Sequence, residues 1–134
     1  QRSLVGSEMC IRDSLKTKPG KKDSAVDAIL ADKELVMEFA GYDFDAIMEE
    51  IGFYVIDKKD RSAELKYHAY PEDAFYALDK ILSAISRFIQ QGSYLEFSDN
   101  KGNLRRYLFD GEEMRRVEPQ IIWPAITAEQ YAVG

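Results

Sequence analysis

Between Pro71 and Gln91 the residues Phe75, Leu78, Ile81, Leu82, Ile85, Phe88 and Ile89 recur every three or four positions. That spacing gathers them on one stripe of an α-helix, with Asp79, Lys80, Ser83, Ser86, Arg87 and Gln90 mostly elsewhere. Pro71 suits a first helical turn, Glu72 and Asp73 complement its positive end, and Gly92 suits its termination. A helix over 71–91 would be about 31 Å long at ~1.5 Å per residue. A five-residue strand is shorter, so such a helix would lie diagonally over several strands and organise the core.

The strands emerge from a change of period. Phe53 to Asp57 is aromatic and β-branched, Lys58 to Arg61 is a polar turn, and Ser62 to Ala69 alternates, with Ala63, Leu65, Tyr67 and Ala69 on one side. After Gly92, the runs 93–98, 104–109 and 114–117 are separated by the turn clusters at 99–103 and 110–113, which predicts a three-stranded meander. Pro119 cannot donate to a ladder, so the last strand belongs at an edge, and Ile121, Ile122 and Trp123 resume extended structure before Pro124. All connections are short, so the sheet should be antiparallel.

Upstream of these elements, Ser24 opens a helical pattern through Val26, Ile29, Leu30, Val36, Met37 and Ala40, closed by Gly41. A competing reading breaks it near Asp32 and makes 35–39 a strand. Asp43 then opens a short helix with Phe44, Ile47, Met48 and Ile51 on one face. The expected fold is a two-layer α+β domain over 23–124. It has an antiparallel sheet of about five strands (hairpin plus meander) covered by one long helix, with an N-terminal helical segment. Residues 15–22 read as a basic, disordered tail, and 125–134 as a C-terminal tail.

The first residues stand apart. Leu4-Val5-Gly6-Ser7-Glu8-Met9-Cys10-Ile11-Arg12-Asp13-Ser14 has no apolar period and no cap. It resembles the in-frame translation of a transposase-type sequencing adapter, whose mosaic end reads Met-Cys-Ile-Arg-Asp in one frame. The resemblance implies that residues 1–14 are not native, and they are set aside from the fold expectation. It also leaves the rest of the chain without cysteine, since Cys10 is the only one.

Charge then singles out one surface. From Asp23 onward the chain carries 12 basic and 22 acidic side chains, a balance that opposes the approach of polyanions at long range. Yet Arg105, Arg106, Arg115 and Arg116, four of the six arginines after residue 14, fall within 104–117. A four-residue loop at 110–113 would pair Phe109 with Met114 and Tyr107 with Arg116. Arg105, Tyr107 and Arg116 would then share one face, and Arg106 and Arg115 the other. Guanidinium forks beside a tyrosine suit carboxylate or phosphate groups. The plainer alternative is neutralisation by Glu96, Glu112, Glu113 and Glu118, with edge protection.

Other constellations are weaker. His68 is the only histidine and sits on the polar side of its strand. The carboxylates at Asp43, Asp45, Glu49 and Glu50, and at Glu72 and Asp73, suit helix starts and exposed helix faces better than metal. No phosphate-binding glycine loop, nucleophile elbow or zinc-helix motif occurs. No cofactor, catalytic residue or metal ligand is therefore expected, and no membrane span. The leading expectation is a cytoplasmic, non-enzymatic protein-interaction module using Arg105, Arg106, Tyr107, Arg115, Arg116 and Trp123. Nucleic-acid or other anion binding through the same hairpin is the alternative, and an enzyme of unrecognised class the third. In general character the chain resembles small acidic proteins of bacterial and phage accessory genomes.

Overall fold

The computed structural model describes residues 9–68, 75–99 and 104–118. The expectations for Pro71, Glu72 and Asp73, for Trp123 and for the tail at 125–134 lie outside the described residues. In chain order the elements are strand β1 (Met9–Lys16), helices α1 (Lys22–Leu30), α2 (Lys33–Phe39) and α3 (Phe44–Glu50), and strands β2 (Phe53–Asp57) and β3 (Ala63–Tyr67). Helix α4 (Phe75–Ala84) and a 3-10 turn at Ser86–Phe88 precede β4 (Tyr94–Asp99), β5 (Leu104–Phe109) and β6 (Met114–Val117). The strands form one six-stranded sheet in the order β2-β3-β1-β4-β5-β6, and every neighbouring pair is antiparallel.

Two parts of the expected fold are corrected. The sheet has six strands rather than about five, because 9–16 is a strand in the middle of it. β1 pairs with β4 from Met9↔Asp99 to Ser14↔Tyr94 and with β3 at Leu15↔Leu65 and Lys16↔Glu64. The stretch expected as a solvated tail thus begins in the core, with Leu15 and Thr17 buried. Thr17 is fastened on both sides. Its N–H donates to the Ala63 carbonyl at 2.8 Å, its hydroxyl accepts from the Ala63 N–H at 2.9 Å, and it bridges Ile89.

The second correction concerns the long helix. The described residues hold four short helices and no long one, and the helix within 71–91, α4, ends at Ala84. At Ile85 (φ −98°, ψ 4°) the backbone leaves the α region. Phe88 N–H then bonds the Ile85 carbonyl at 2.8 Å, in 3-10 fashion. Tertiary partners capture the chain just beyond. The Phe88 carbonyl accepts from Lys18 N–H at 2.7 Å, and Gln90 N–H donates to the Lys16 carbonyl at 2.8 Å. The apolar stripe itself is real, for Leu78, Ile81, Leu82, Ile85 and Ile89 are all buried. Its last residues reach the core from a 3-10 turn and an extended segment.

Local chemistry explains the other helices. Asp32 separates α1 from α2, and its carboxylate caps α2 by accepting from Glu34 N–H at 2.8 Å and Leu35 N–H at 3.0 Å. The chain therefore breaks near Asp32, but residues 35–39 beyond the break are helix rather than strand. Asp43 caps α3 through Ala46 N–H at 2.8 Å. Helix α1 starts at Lys22, two residues ahead of the expected Ser24, with Lys21 as a cap that contributes no side-chain bond.

All four helices contribute buried side chains to one core, against Leu15, Phe53, Leu65, Tyr67, Leu95, Phe97, Tyr107 and Phe109 of the sheet. Strand alternation sends every second strand residue, out of phase with these, to the opposite face. No described element covers that second face. It carries Arg12, Lys16, Tyr54, Ile56, Lys66, Leu108 and Arg115, all exposed, with half-buried Glu64, Tyr94, Glu96 and Arg106 among them.

Candidate functional site: the arginine hairpin and the open sheet face

The β5–β6 hairpin takes the expected register, with Phe109 opposite Met114 and Tyr107 opposite Arg116. Its turn is held by the Asp110 carboxylate, which accepts from Glu112 N–H at 2.9 Å and Glu113 N–H at 2.7 Å. Those bonds, Glu113 first, hold the Asp110 carboxyl below its ordinary value. Gly111 comes next at φ +97°, a conformation open to glycine at little cost. This turn fixes the register, and the register sets which face each arginine takes.

The two faces have different chemistry. On the helix side, Tyr107 is fully buried. Its hydroxyl donates to Asp79 Oδ1 on α4, and Arg116 Nη1 donates to Asp79 Oδ2 at 2.6 Å. Arg116 also reaches Glu118 at 3.5 Å. Burial first, then the bond to Asp79, raises the Tyr107 phenol above its ordinary value of 10.0, and Arg105 works against that rise. Tyr107 and Arg116, sharing the Asp79 carboxylate, therefore form a helix-to-sheet clasp, with Arg105 beside the Tyr107 phenol. Tyr107 is removed from the contact surface it was expected to join.

On the open face, Arg106 Nε donates to Glu96 Oε1 at 2.8 Å across the β4–β5 pair. Arg115 is exposed and makes no ion pair with a described residue. Its cross-strand neighbour is Leu108, which lies opposite Tyr94, which lies opposite Ser14. Glu96 likewise stands between Arg12 and Arg106. A Tyr94–Leu108 centre is thus bordered by Arg106 and Arg115, with Arg12 and Lys16 on the next strand. An open depression of ≈ 350 Å³ at the hairpin end is lined by Leu108, Phe109, Asp110, Glu113, Met114 and Arg115. The sequence names Arg106 and Arg115 for this surface but not Leu108, and only the strand register brings Tyr94 and Lys16 beside them. The signal for Tyr94 and Leu108 is their shared phase with Glu96 and Arg106.

His68 is exposed and stacks on Tyr54, centroids 3.7 Å apart and planes 14° from parallel. Lys22 Nζ bridges Asp45 at 2.7 Å and Asp57 at 2.9 Å. Among the described residues no group of three or more His, Cys, Asp or Glu could hold a metal ion, and no helix is long and apolar enough to cross a membrane. Compared with known proteins, the chain matches no family model, no curated protein and no solved structure.

Proposed function

We propose that the chain is a non-enzymatic interaction module whose open sheet face, at the hairpin end, holds an acidic protein partner. One observation carries this reading. In a chain of net charge −6, the face the helices leave bare gathers Lys16, Arg106 and Arg115 around Tyr94 and Leu108, against Glu96, with Lys66 and Glu64 farther along the sheet. An apolar and tyrosine centre with a guanidinium rim is the composition of a protein-recognition patch. Arg12 lies on the same face but belongs to the segment read as adapter-derived, so it is not counted in the patch. The setting that goes with this reading is the cytoplasm, in the manner of bacterial and phage accessory proteins.

Nucleic acid is the second reading, because the same cations and Tyr94 could meet phosphates and a base. The overall charge and Glu96 within the patch favour carboxylates over a continuous polyanion.

The test is fluorescence anisotropy with a labelled acidic peptide rich in Glu and Leu, alongside a labelled oligo-dT of similar charge. The expected result is saturable peptide binding that weakens with salt and is lost in Arg106→Ala/Arg115→Ala. Absence of peptide binding at low salt overturns the proposal. Tighter binding of the oligonucleotide, with a steep salt slope, transfers the face to nucleic acid.

A further inference from the structure

The two edges of the sheet are guarded very differently. β6, at one edge, reads Met-Arg-Arg-Val, and its arginines discourage a second sheet from docking there. β2, at the other, reads Phe-Tyr-Val-Ile-Asp, with no lysine, arginine, proline or bulge. Tyr54 is 55% and Ile56 41% exposed, among the most exposed large apolar side chains of the described residues. No described strand takes its outer side.

The hydrogen-bond parity of the β2–β3 hairpin tells which groups that outer side presents. His68 N–H donates to the Gly52 carbonyl at 2.8 Å, and Lys58 N–H to the Ser62 carbonyl at 2.9 Å. Hydrogen-bonded pairs alternate along an antiparallel ladder. Gly52, Tyr54, Ile56 and Lys58 therefore turn their main-chain groups toward β3. Phe53, Val55 and Asp57 turn theirs outward, so the bare edge offers three evenly spaced N–H and C=O sets.

We propose that β2 pairs antiparallel with β2 of a second copy, about a two-fold axis at Val55, joining the two sheets edge to edge. The sequence is self-complementary in that register. Val55 meets Val55 of the second copy, Phe53 meets its Asp57, and Asp57 meets its Phe53, all three as hydrogen-bonded pairs. Tyr54 falls opposite Ile56 of the second copy, twice, in the non-bonded positions where side chains approach most closely. Aromatic against β-branched is a favourable cross-strand pair. His68, just past β3, already stacks on Tyr54. A two-fold axis closes the assembly at two chains, because each β2 edge is then used.

Charge agrees with the same register. Lys58 and Lys59 of one copy come alongside the α3 end of the other, where Glu49 and Glu50 stand. Lys59, Glu49 and Glu50 are exposed and make no ion pair among the described residues. The contact is a strand and its flanks rather than a broad face, so the dimer should be of modest affinity and concentration-dependent.

Sedimentation equilibrium over the micromolar range tests this directly. The expected mass rises with concentration from the monomer value of 15.4 kDa towards twice that value. Ile56→Lys, at an exposed position, places a guard charge on the edge and should hold the chain at monomer mass with its circular dichroism unchanged. Lys59→Glu should weaken the dimer at least several-fold, and adding Glu50→Lys should restore it. A wild-type chain that stays monomeric at the highest concentration overturns the proposal. So does a dimer that survives Ile56→Lys, since that dimer must use another surface.

Discussion

The hydroxyl of Tyr107 donates to the carboxylate of Asp79, tying the middle of β5 to the helix that covers it. Arg116 holds the other oxygen of the same carboxylate. Tyr107→Phe removes the donor while keeping the ring in the core, and should cost about 1–3 kcal/mol in denaturant unfolding, since the acceptor is charged. The pH dependence has a definite sign. The folded phenol titrates above its ordinary value of 10.0, so the unfolded chain releases this proton first as pH rises. The stabilisation is complete below that value and is lost progressively above it. Wild type should lose stability in strong alkali more steeply than Tyr107→Phe, read as unfolding midpoints across the alkaline range.

Acid acts on different residues. The Asp32 carboxyl is held below its ordinary value of 3.8 chiefly by the Leu35 N–H, and Asp110 by that of Glu113. For Asp60 the Ser62 hydroxyl is the main cause. A depressed folded pKa contributes stability above the unfolded value and loses it as pH falls through that value and below. Stability should therefore hold near neutrality and decline once pH drops past about 4. Asp32→Ala should lower the neutral midpoint, and the gap from wild type should close in acid, where the wild-type cap is protonated.

How much of this is legible in the sequence depends on which physics decides each element. The hairpin register is legible because a four-residue turn and a two-residue side-chain period leave one pairing for 104–117. Tyr107 reads as a contact residue only if its phase is ignored, for it shares the phase of Phe109, and that phase points at the core. The helix over 71–91 is overextended in the sequence pattern because periodicity records which residues are buried, not which backbone delivers them. Ile85 and Ile89 keep helical spacing while Gln90 bonds to β1. The central strand escapes for another reason. The adapter-like sequence removes 1–14 from consideration, yet Ile11, Asp13, Leu15 and Thr17 alternate with Arg12, Ser14 and Lys16 as a strand should.

Within that strand Asp13 has a specific role. Below the short Leu15–Lys16 pairing, β1 and β3 are no longer paired, and Asp13 Oδ2 accepts from Tyr67 N–H at 2.6 Å in place of a strand carbonyl. Asp13→Ala leaves that donor unpaired and should cost about 1–3 kcal/mol. Asp13→Asn keeps an acceptor and should recover most of the loss. Arg12→Thr, on the open face with no ion pair among the described residues, should leave the midpoint within about 0.5 kcal/mol. Chemical denaturation of the three variants checks this.

The two halves of the arginine hairpin can be separated experimentally. Arg115 and Arg116 are sequence neighbours that strand alternation sends to opposite faces. Arg116 is tied to Asp79, while Arg115 stands exposed beside Leu108. Arg116→Ala should lower stability by about 0.5–1 kcal/mol, the range of a partly exposed ion pair, and leave acidic-peptide binding intact. Arg115→Ala should do the reverse, with an unchanged midpoint and weakened binding. Thermal melts and anisotropy on the two single variants give the comparison. If both variants lose stability and neither loses binding, the hairpin arginines only hold the sheet together, and recognition must lie elsewhere on the molecule.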